Sequence, residues 1–153
     1  MIYDIISEPK GLEYRALLEA MFEIADSWGF VERPDYPKTS TLSSLLAELE
    51  PDIVEITITH EWPGTSLLGG SGVFMYRLRP QKAGLAACLR YTNSLFQWLA
   101  PEFPEDIHFV RDDIVVLMTV AHEREAQIEL RDDIPIIQSM LAKKLIQPVI
   151  ERT

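Results

Sequence analysis

The alternation of side chains between Val54 and Trp62 is the clearest structural signal in the chain. Every second residue in this stretch is apolar or aromatic apart from His60, and the residues between them are Glu or Thr. Successive side chains of a strand point to opposite faces, so the pattern predicts a half-buried strand. The alternation returns in residues 73–79 after a glycine-rich connection, which predicts a hairpin partner.

Four other stretches carry apolar residues at the spacing of a helix face. They predict helices over about residues 12–28, 40–49, 82–99 and 133–147. Gly29 ends the first of these, as a helix C-terminus prefers, and prolines lie at the ends of the other three.

The remaining segments complete the predicted order of elements. Strands are predicted at about residues 2–6, 107–110, 114–120 and 126–130, whereas residues 30–38 contain two prolines and predict a loop that could open with a short strand. We therefore expect a single α+β domain over residues 1–153. Its sheet is predicted to be mostly antiparallel, with about five strands and about four helices packed on it.

The charge balance narrows the choice of partners. The chain has 14 Lys and Arg against 24 Asp and Glu, a net charge of -10. Such a field disfavours phosphate backbones and anionic lipids, so we expect neither a nucleic acid nor a membrane partner. A basic protein partner would complement this negative charge. The alternative is that the acidity only keeps the protein soluble.

The single cysteine and the N-terminus favour a cytoplasmic protein. Cys88 excludes an internal disulfide and falls on the apolar stripe of a predicted helix, which favours a buried structural thiol. The N-terminal residues lack the basic region of a signal peptide, and the apolar stretch at residues 114–121 is too short to span a membrane. The chain contains no dinucleotide or phosphate-loop fingerprint, no Cys-x-x-Cys and no nucleophile elbow, so no cofactor is predicted.

Two His-Glu pairs are the candidate catalytic residues: His60 with Glu61, and His122 with Glu123. If the strand ending at Trp62 runs up, its hairpin partner runs down. The long helix then returns the chain so that residues 107–110 also run down and residues 114–120 run up. Both pairs would then lie at one end of the sheet.

Histidine beside glutamate suits proton transfer, and two such pairs could bind zinc or iron. Ordinary hydrogen-bonded histidines remain the alternative. His60 and Glu61 are strand neighbours that point to opposite faces, and the spacing is not that of HExxH. No metal site is therefore predicted.

The same end of the sheet holds the candidate residues for binding a ligand or partner, which are Trp62, Gly64, Thr65, Gly69, Gly70 and Arg124. Trp62 could be a binding anchor or a packed aromatic beside a turn. The loop from Gly69 to Gly72 leads into a strand rather than a helix, which favours a flexible hairpin connection over a phosphate site. A mobile lid over a ligand is the weaker alternative.

The segments Glu61–Thr65 (EWPGT) and Ala121–Glu123 (AHE) resemble those of a family of small uncharacterised bacterial proteins. Its members have similar lengths, a long first helix and EWPGT-like and AHE-like segments, and some are labelled sporulation stage III AH-like. The resemblance covers most of the chain and implies no established activity. It implies that these two segments are the family's marked positions.

Three functions remain open from the sequence. The first is a non-catalytic binding or interaction domain, of immunity or regulatory type, that meets a basic partner. The second is a small enzyme or metal-binding protein that uses the His/Glu cluster. The third is a homodimer that pairs through an uncovered sheet edge.

Overall fold

A computed structural model describes residues 1–150, which form four α-helices and an eight-stranded sheet with a small separate hairpin. The strands are β1 (Ile2–Ile5), β2 (Ser27–Glu32), β3 (Ile53–Thr59), β4 (Glu61–Trp62), β5 (Thr65–Ser66), β6 (Val73–Leu78), β7 (Glu105–Arg111), β8 (Ile114–Val120), β9 (Glu125–Glu129) and β10 (Ile146–Pro148). The helices are α1 (Leu12–Ile24), α2 (Ser40–Leu49), α3 (Lys82–Tyr91) and α4 (Pro135–Ala142).

The large sheet has the order β10-β1-β9-β8-β7-β2-β6-β3, and every neighbouring pair is antiparallel. The α+β class, the antiparallel sheet and the four helices are confirmed. The expectation of about five strands is wrong, because the sheet has eight.

Strand β2 accounts for the largest error. The first helix was expected to reach Trp28, but it ends at Ile24, and Ser27–Glu32 forms a strand between β6 and β7. Five of its six residues are buried, because sheet neighbours flank the strand and side chains cover both its faces. A strand buried on both faces lacks the polar and apolar alternation by which strands are recognised.

The other boundary errors have local causes. Helix α3 ends at Tyr91 rather than near Leu99, since Thr92 is extended and its hydroxyl donates to the carbonyl of Cys88. Helix α4 ends at Ala142, and the chain turns through Lys144, at φ 58°, into β10.

The main core lies between the four helices and one face of the sheet. Its centre is Trp28, whose ring centroid lies 5.0 Å from that of Phe22 and 6.0 Å from that of Phe109. Trp98 completes the cluster against Trp28. Aromatic rings bury the most apolar area of any side chains, so this cluster holds α1 against the middle of the sheet.

No helix among residues 1–150 combines the length and apolar character needed to cross a bilayer.

A second, smaller core lies on the opposite face of the sheet. There Trp62 from the β4–β5 hairpin packs against Val31 and Val73. The hairpin therefore folds back over one end of the sheet instead of continuing β3, which ends at Thr59.

Gly29, in the middle of β2, is required by close packing. A Cβ atom at this position would lie 2.1 Å from the carbonyl oxygen of Tyr76 and 2.9 Å from Nε2 of His108. The missing side chain leaves the room in which the His108 ring lies.

We expect Gly29→Ala to lower the free energy of unfolding by about 3 kcal/mol, because the new methyl group collides with backbone that cannot move without breaking the sheet. Urea unfolding followed by circular dichroism measures this. Gly69→Ala is the matched control: no atom lies within 4 Å of its Cβ position, so its cost should stay below about 0.5 kcal/mol. Equal costs for the two variants would contradict the packing role of Gly29.

Candidate functional site

Strand direction brings the EWPGT and AHE segments to one end of the sheet. Between β3 and β8 lie β6, β2 and β7, and each neighbour is antiparallel, so β3 and β8 run in the same direction. The predicted common direction of these two strands is confirmed. The segments that follow them, the β4–β5 hairpin and the turn Ala121–Glu123, therefore leave the sheet at the same end.

The carboxylate of Asp106 joins these two segments. The indole Nε1 of Trp62 donates to its Oδ2 at 2.8 Å, and the backbone N–H of Ala121 donates to its Oδ1 at 2.9 Å. Asp106 is fully buried and holds a left-handed backbone conformation, at φ 57°, which Asp adopts more readily than most residues. Burial raises the pKa of this carboxyl group, and the two hydrogen bonds oppose the rise.

Two further buried acids at this end, Glu105 and Glu32, also have a donor group near each carboxylate oxygen. Glu105 accepts from Arg33 Nε at 3.0 Å and from the N–H of Ala100 at 3.2 Å. Glu32 accepts from the hydroxyl of Tyr76 at 2.6 Å, and its second oxygen lies 3.4 Å from Lys38 Nζ. All six oxygens of Glu32, Glu105 and Asp106 thus face a donor.

A cleft of about 380 Å³ opens above this network. It is lined by three connections and the first residue of β7, namely Arg33, Asp35, Tyr36, Leu99, Ala100, Glu105 and His122. Arg33 forms part of its wall, with its guanidinium 5.3 Å from the ring centroid of Trp62 and its Nε on Glu105. The cleft therefore combines a wall held in place by hydrogen bonds with an exposed aromatic and acidic rim, since Asp35 and Tyr36 are exposed.

The candidate catalytic residues separate into two groups. His122 lines the cleft, with its Nε2 3.8 Å from the carboxylate of Glu123, and both side chains are exposed. His60 and Glu61 do not line the cleft: Nε2 of His60 donates to the carbonyl of Gly70 at 2.8 Å, and Glu61 accepts from the hydroxyl of Ser66. In the described part of the chain, no three His, Cys, Asp or Glu side chains are arranged to hold a metal ion.

The candidate binding residues also differ in position. Trp62 is buried and Gly64 packs closely against Met118 and Val120, so both fix the hairpin to the sheet. Thr65 pairs with Trp62 in the hairpin, and its hydroxyl oxygen has no hydrogen-bond partner within residues 1–150.

Three further candidates lie outside the cleft. Gly69 and Gly70 are exposed in the connection to β6. Arg124 binds Glu8 at 2.9 Å and lies over the ring of Phe96 at 5.5 Å, which ties the N-terminal segment to the turn after β8.

His108 is a further functional candidate, which no motif or spacing in the sequence distinguishes. Its Nδ1 lies 2.9 Å from the backbone carbonyl of Asp106, which can only accept, so the neutral ring carries its proton on Nδ1 and a lone pair on Nε2. Burial lowers the pKa of His108 to about 4. The ring lines a largely apolar groove of about 160 Å³ under Pro63.

Sequence reasoning also missed Arg33, Glu105 and Asp106. Arg33 fell in the predicted loop, and the acids precede the predicted start of a strand, where no spacing distinguishes them from surface acids. Cys88 is buried, as predicted, and burial raises the pKa of its thiol.

No protein-family model, curated protein or solved structure matches the chain. The resemblance based on the EWPGT-like and AHE-like segments stays a prediction.

The bond between Trp62 and Asp106 can be measured with a double-mutant cycle. Trp62→Phe removes the donor, and Asp106→Asn keeps the shape and the tolerance of positive φ but weakens acceptance. We expect each single variant to lose about 2 kcal/mol of unfolding free energy, and the pair to show a coupling of about 1–2 kcal/mol. Urea unfolding provides the four values. Additive losses would show that the bond contributes nothing. Glu61→Gln, at an exposed position, serves as the control and should change the unfolding free energy by less than about 0.5 kcal/mol.

The lowered pKa of His108 predicts a specific dependence of stability on pH. Between pH 6.5 and 4 the unfolded chain binds this proton and the folded chain does not, so the contribution is present above pH 6.5 and is lost as the pH falls towards 4. It corresponds to about 3 kcal/mol. Asp106 acts in the opposite direction, because burial raises its pKa and stability then falls as the pH rises.

Unfolding of the wild type and His108→Asn at several pH values between 4 and 7.5 isolates the histidine, since Asp106 is present in both proteins. Asn keeps a donor near the position of Nδ1. We expect the wild type to lose more stability than the variant on acidification, and His60→Asn, at an exposed position, to follow the wild type. Parallel curves for the wild type and His108→Asn would refute the assignment.

Proposed function

We propose that this chain is a non-catalytic binding domain, of immunity or regulatory type, that receives a basic segment of a partner protein in the cleft beside Trp62. The observation that carries the proposal is the pairing of the buried acids Glu32, Glu105 and Asp106. Five of their six oxygens accept hydrogen bonds within the protein, and the sixth lies 3.4 Å from Lys38 Nζ. Acids held in this way build a rigid wall rather than supply a mobile proton.

The rim of the cleft supports a cationic guest. Tyr36 is 47% exposed, which is unusual for a large aromatic side chain, and Asp35 is exposed beside it. An aromatic face and a carboxylate together suit the side chain of Arg or Lys. Among the lining residues other than His122, the charge of Arg33 is offset by Glu105 at 3.0 Å, so Asp35 leaves these residues with a net negative charge.

The overall charge favours the same class of partner. A chain of net charge -10 attracts basic proteins over a distance of about one Debye length, roughly 8–10 Å at physiological salt. This attraction raises the rate of encounter, and the cleft would supply the specificity.

A fluorescently labelled peptide of alternating Arg, Gly and Lys provides a defined probe, and its Glu-substituted counterpart serves as the negative control. Fluorescence anisotropy should show that Asp35→Asn and Tyr36→Ala each weaken binding about tenfold, because each removes a rim contact. Asp132→Asn makes the same change in charge at the opposite end of the sheet, where Asp132 adjoins Arg111 and Ile114. Its effect should stay within about twofold.

Two outcomes would count against the proposal. Equal weakening by Asp35→Asn and Asp132→Asn would mean that the probe responds to diffuse charge and has no site. Unchanged affinity in Tyr36→Ala would remove the cleft from the interaction.

A small acid–base enzyme is the second candidate, and the position of His122 favours it. This imidazole lies in the cleft, exposed, with Glu123 beside it at 3.8 Å. His60 and Glu61 make their contacts elsewhere, so the proposed enzyme would depend on the second pair alone. Hydrolysis of an ester probe such as p-nitrophenyl acetate by the wild type, and its loss in His122→Ala, would favour the enzyme over the binding domain.

A further inference from the structure

Strand β3 forms an uncovered edge of the large sheet. It is the last strand in the order, and β6 is its only neighbour among the described strands. Seven residues long, it leaves a row of backbone N–H and C=O groups on its outer side without a strand partner. Three large aliphatic residues of this strand are exposed: Val54 at 43%, Ile56 at 49% and Ile58 at 69%.

Strand β3 lacks most of the usual protection of a sheet edge and has only a β-bulge at its start, between Ile53 and Glu55. Edges are commonly shielded by proline, by several charges or by being very short. The only charged residue in β3 is Glu55, and Arg77 of β6 binds it at 3.1 Å. The opposite edge of the sheet is different, since β10 has three residues and ends at Pro148.

The exposed isoleucines extend the main core. Ile56 lies opposite Tyr76 and Ile58 lies opposite Phe74, so both are on the face of the sheet that the helices cover. Phe74 is itself only half buried. The apolar layer therefore continues to the edge and ends in contact with solvent.

We propose that β3 pairs antiparallel with β3 of a second copy of this chain, about a two-fold axis at Ile56. In this register Ile56 faces Ile56 of the second copy, Val54 faces Ile58, and Glu55 faces Thr57. The exposed aliphatic side chains thereby meet one another, and no like charges stand opposite. A two-fold axis at Thr57 would instead set Val54 against His60.

The second copy fits this edge because β3 is complementary to itself in the order of its side chains and in the symmetry of antiparallel pairing. Reading β3 in either direction from Ile56 gives a polar and then an aliphatic residue. An antiparallel two-fold pair uses the same surface twice, as a symmetric dimer requires. The pairing engages β3, whereas no residue of β3 lines the cleft beside Trp62, so the dimer is independent of the proposed binding function.

Disulfide trapping tests the register. Cys88 is fully buried, so Ile56→Cys introduces the only accessible thiol. Residues that face each other in antiparallel strands have Cα atoms about 4.5–5.5 Å apart, within the range of a disulfide. We expect most of the Ile56→Cys protein to form a covalent dimer under mild oxidation.

Ile58→Cys is the matched control. In the proposed register the two copies of residue 58 are separated by four residues along the strands, or about 13 Å, and cannot form a disulfide. A mixture of Val54→Cys and Ile58→Cys should form the heterodimer. Equal trapping of Ile56→Cys and Ile58→Cys, or trapping of neither, would overturn the proposal.

Sizing by light scattering tests the dimer without a new thiol. We expect the wild type to shift from monomer to dimer with concentration, and to shift further as salt screens the repulsion between two chains of charge -10. Ile56→Lys should remain a monomer throughout, while Leu12→Lys, at a position 81% exposed on α1, should behave as the wild type does. Circular dichroism confirms that each variant folds. A wild type that is monomeric at every concentration and salt, or equal dimerisation of Ile56→Lys, would overturn the proposal.

Discussion

The buried carboxylate of Asp106 is the interaction on which this end of the molecule depends. Its two oxygens bind the indole of Trp62 and the backbone of Ala121, so one side chain connects the hairpin after β3 with the turn after β8. Removing a carboxylate from water costs several kcal/mol, and donors at 2.8 and 2.9 Å are what make the position tolerable. The cost explains why the site is so fully hydrogen-bonded: an acid missing one donor here would favour unfolding.

The arrangement around Asp106 depends in turn on the middle of the sheet. Gly29 leaves space for the ring of His108, and that ring binds the backbone carbonyl of Asp106. Gly29 therefore supports Asp106 indirectly, through the imidazole of His108. Asp106 in turn holds together the segments beside the cleft. Asp106 and His108 are thus linked through Gly29 to strand β2. The other face of β2 carries Trp28 in the aromatic core.

The sequence predicts an element correctly where apolar residues recur with the period of one face of a helix or strand. The strands β3 and β9, the four helices and the common direction of β3 and β8 follow from such patterns, but only β9 is half-buried. The prediction that β3 is half-buried is wrong, because Val54, Ile56 and Ile58 on its apolar face are exposed at the edge of the sheet. Strand β2 could not be found in this way, because it is buried on both faces and Trp28 extends the helical spacing of α1. Of the predicted site, Trp62 and His122 come to one end, but His60 does not line the cleft because the chain breaks after Thr59 to form the hairpin. Asp106 had no recognisable signal, since its importance comes from partners 44 and 15 residues away in the chain.

The short strand β10 determines how far the sheet could grow by joining edges. Pro148 faces Tyr3 there, and its nitrogen carries no hydrogen to donate. The sheet has one edge that can pair with a further strand, β3, and one edge that pairs poorly, β10. It can therefore be extended by one additional sheet, and the extended sheet has no second edge suited to pairing. If two copies pair through β3 as proposed, the assembly would therefore stop at a pair, because Pro148 at each outer edge disfavours the open-ended stacking that leads to fibres.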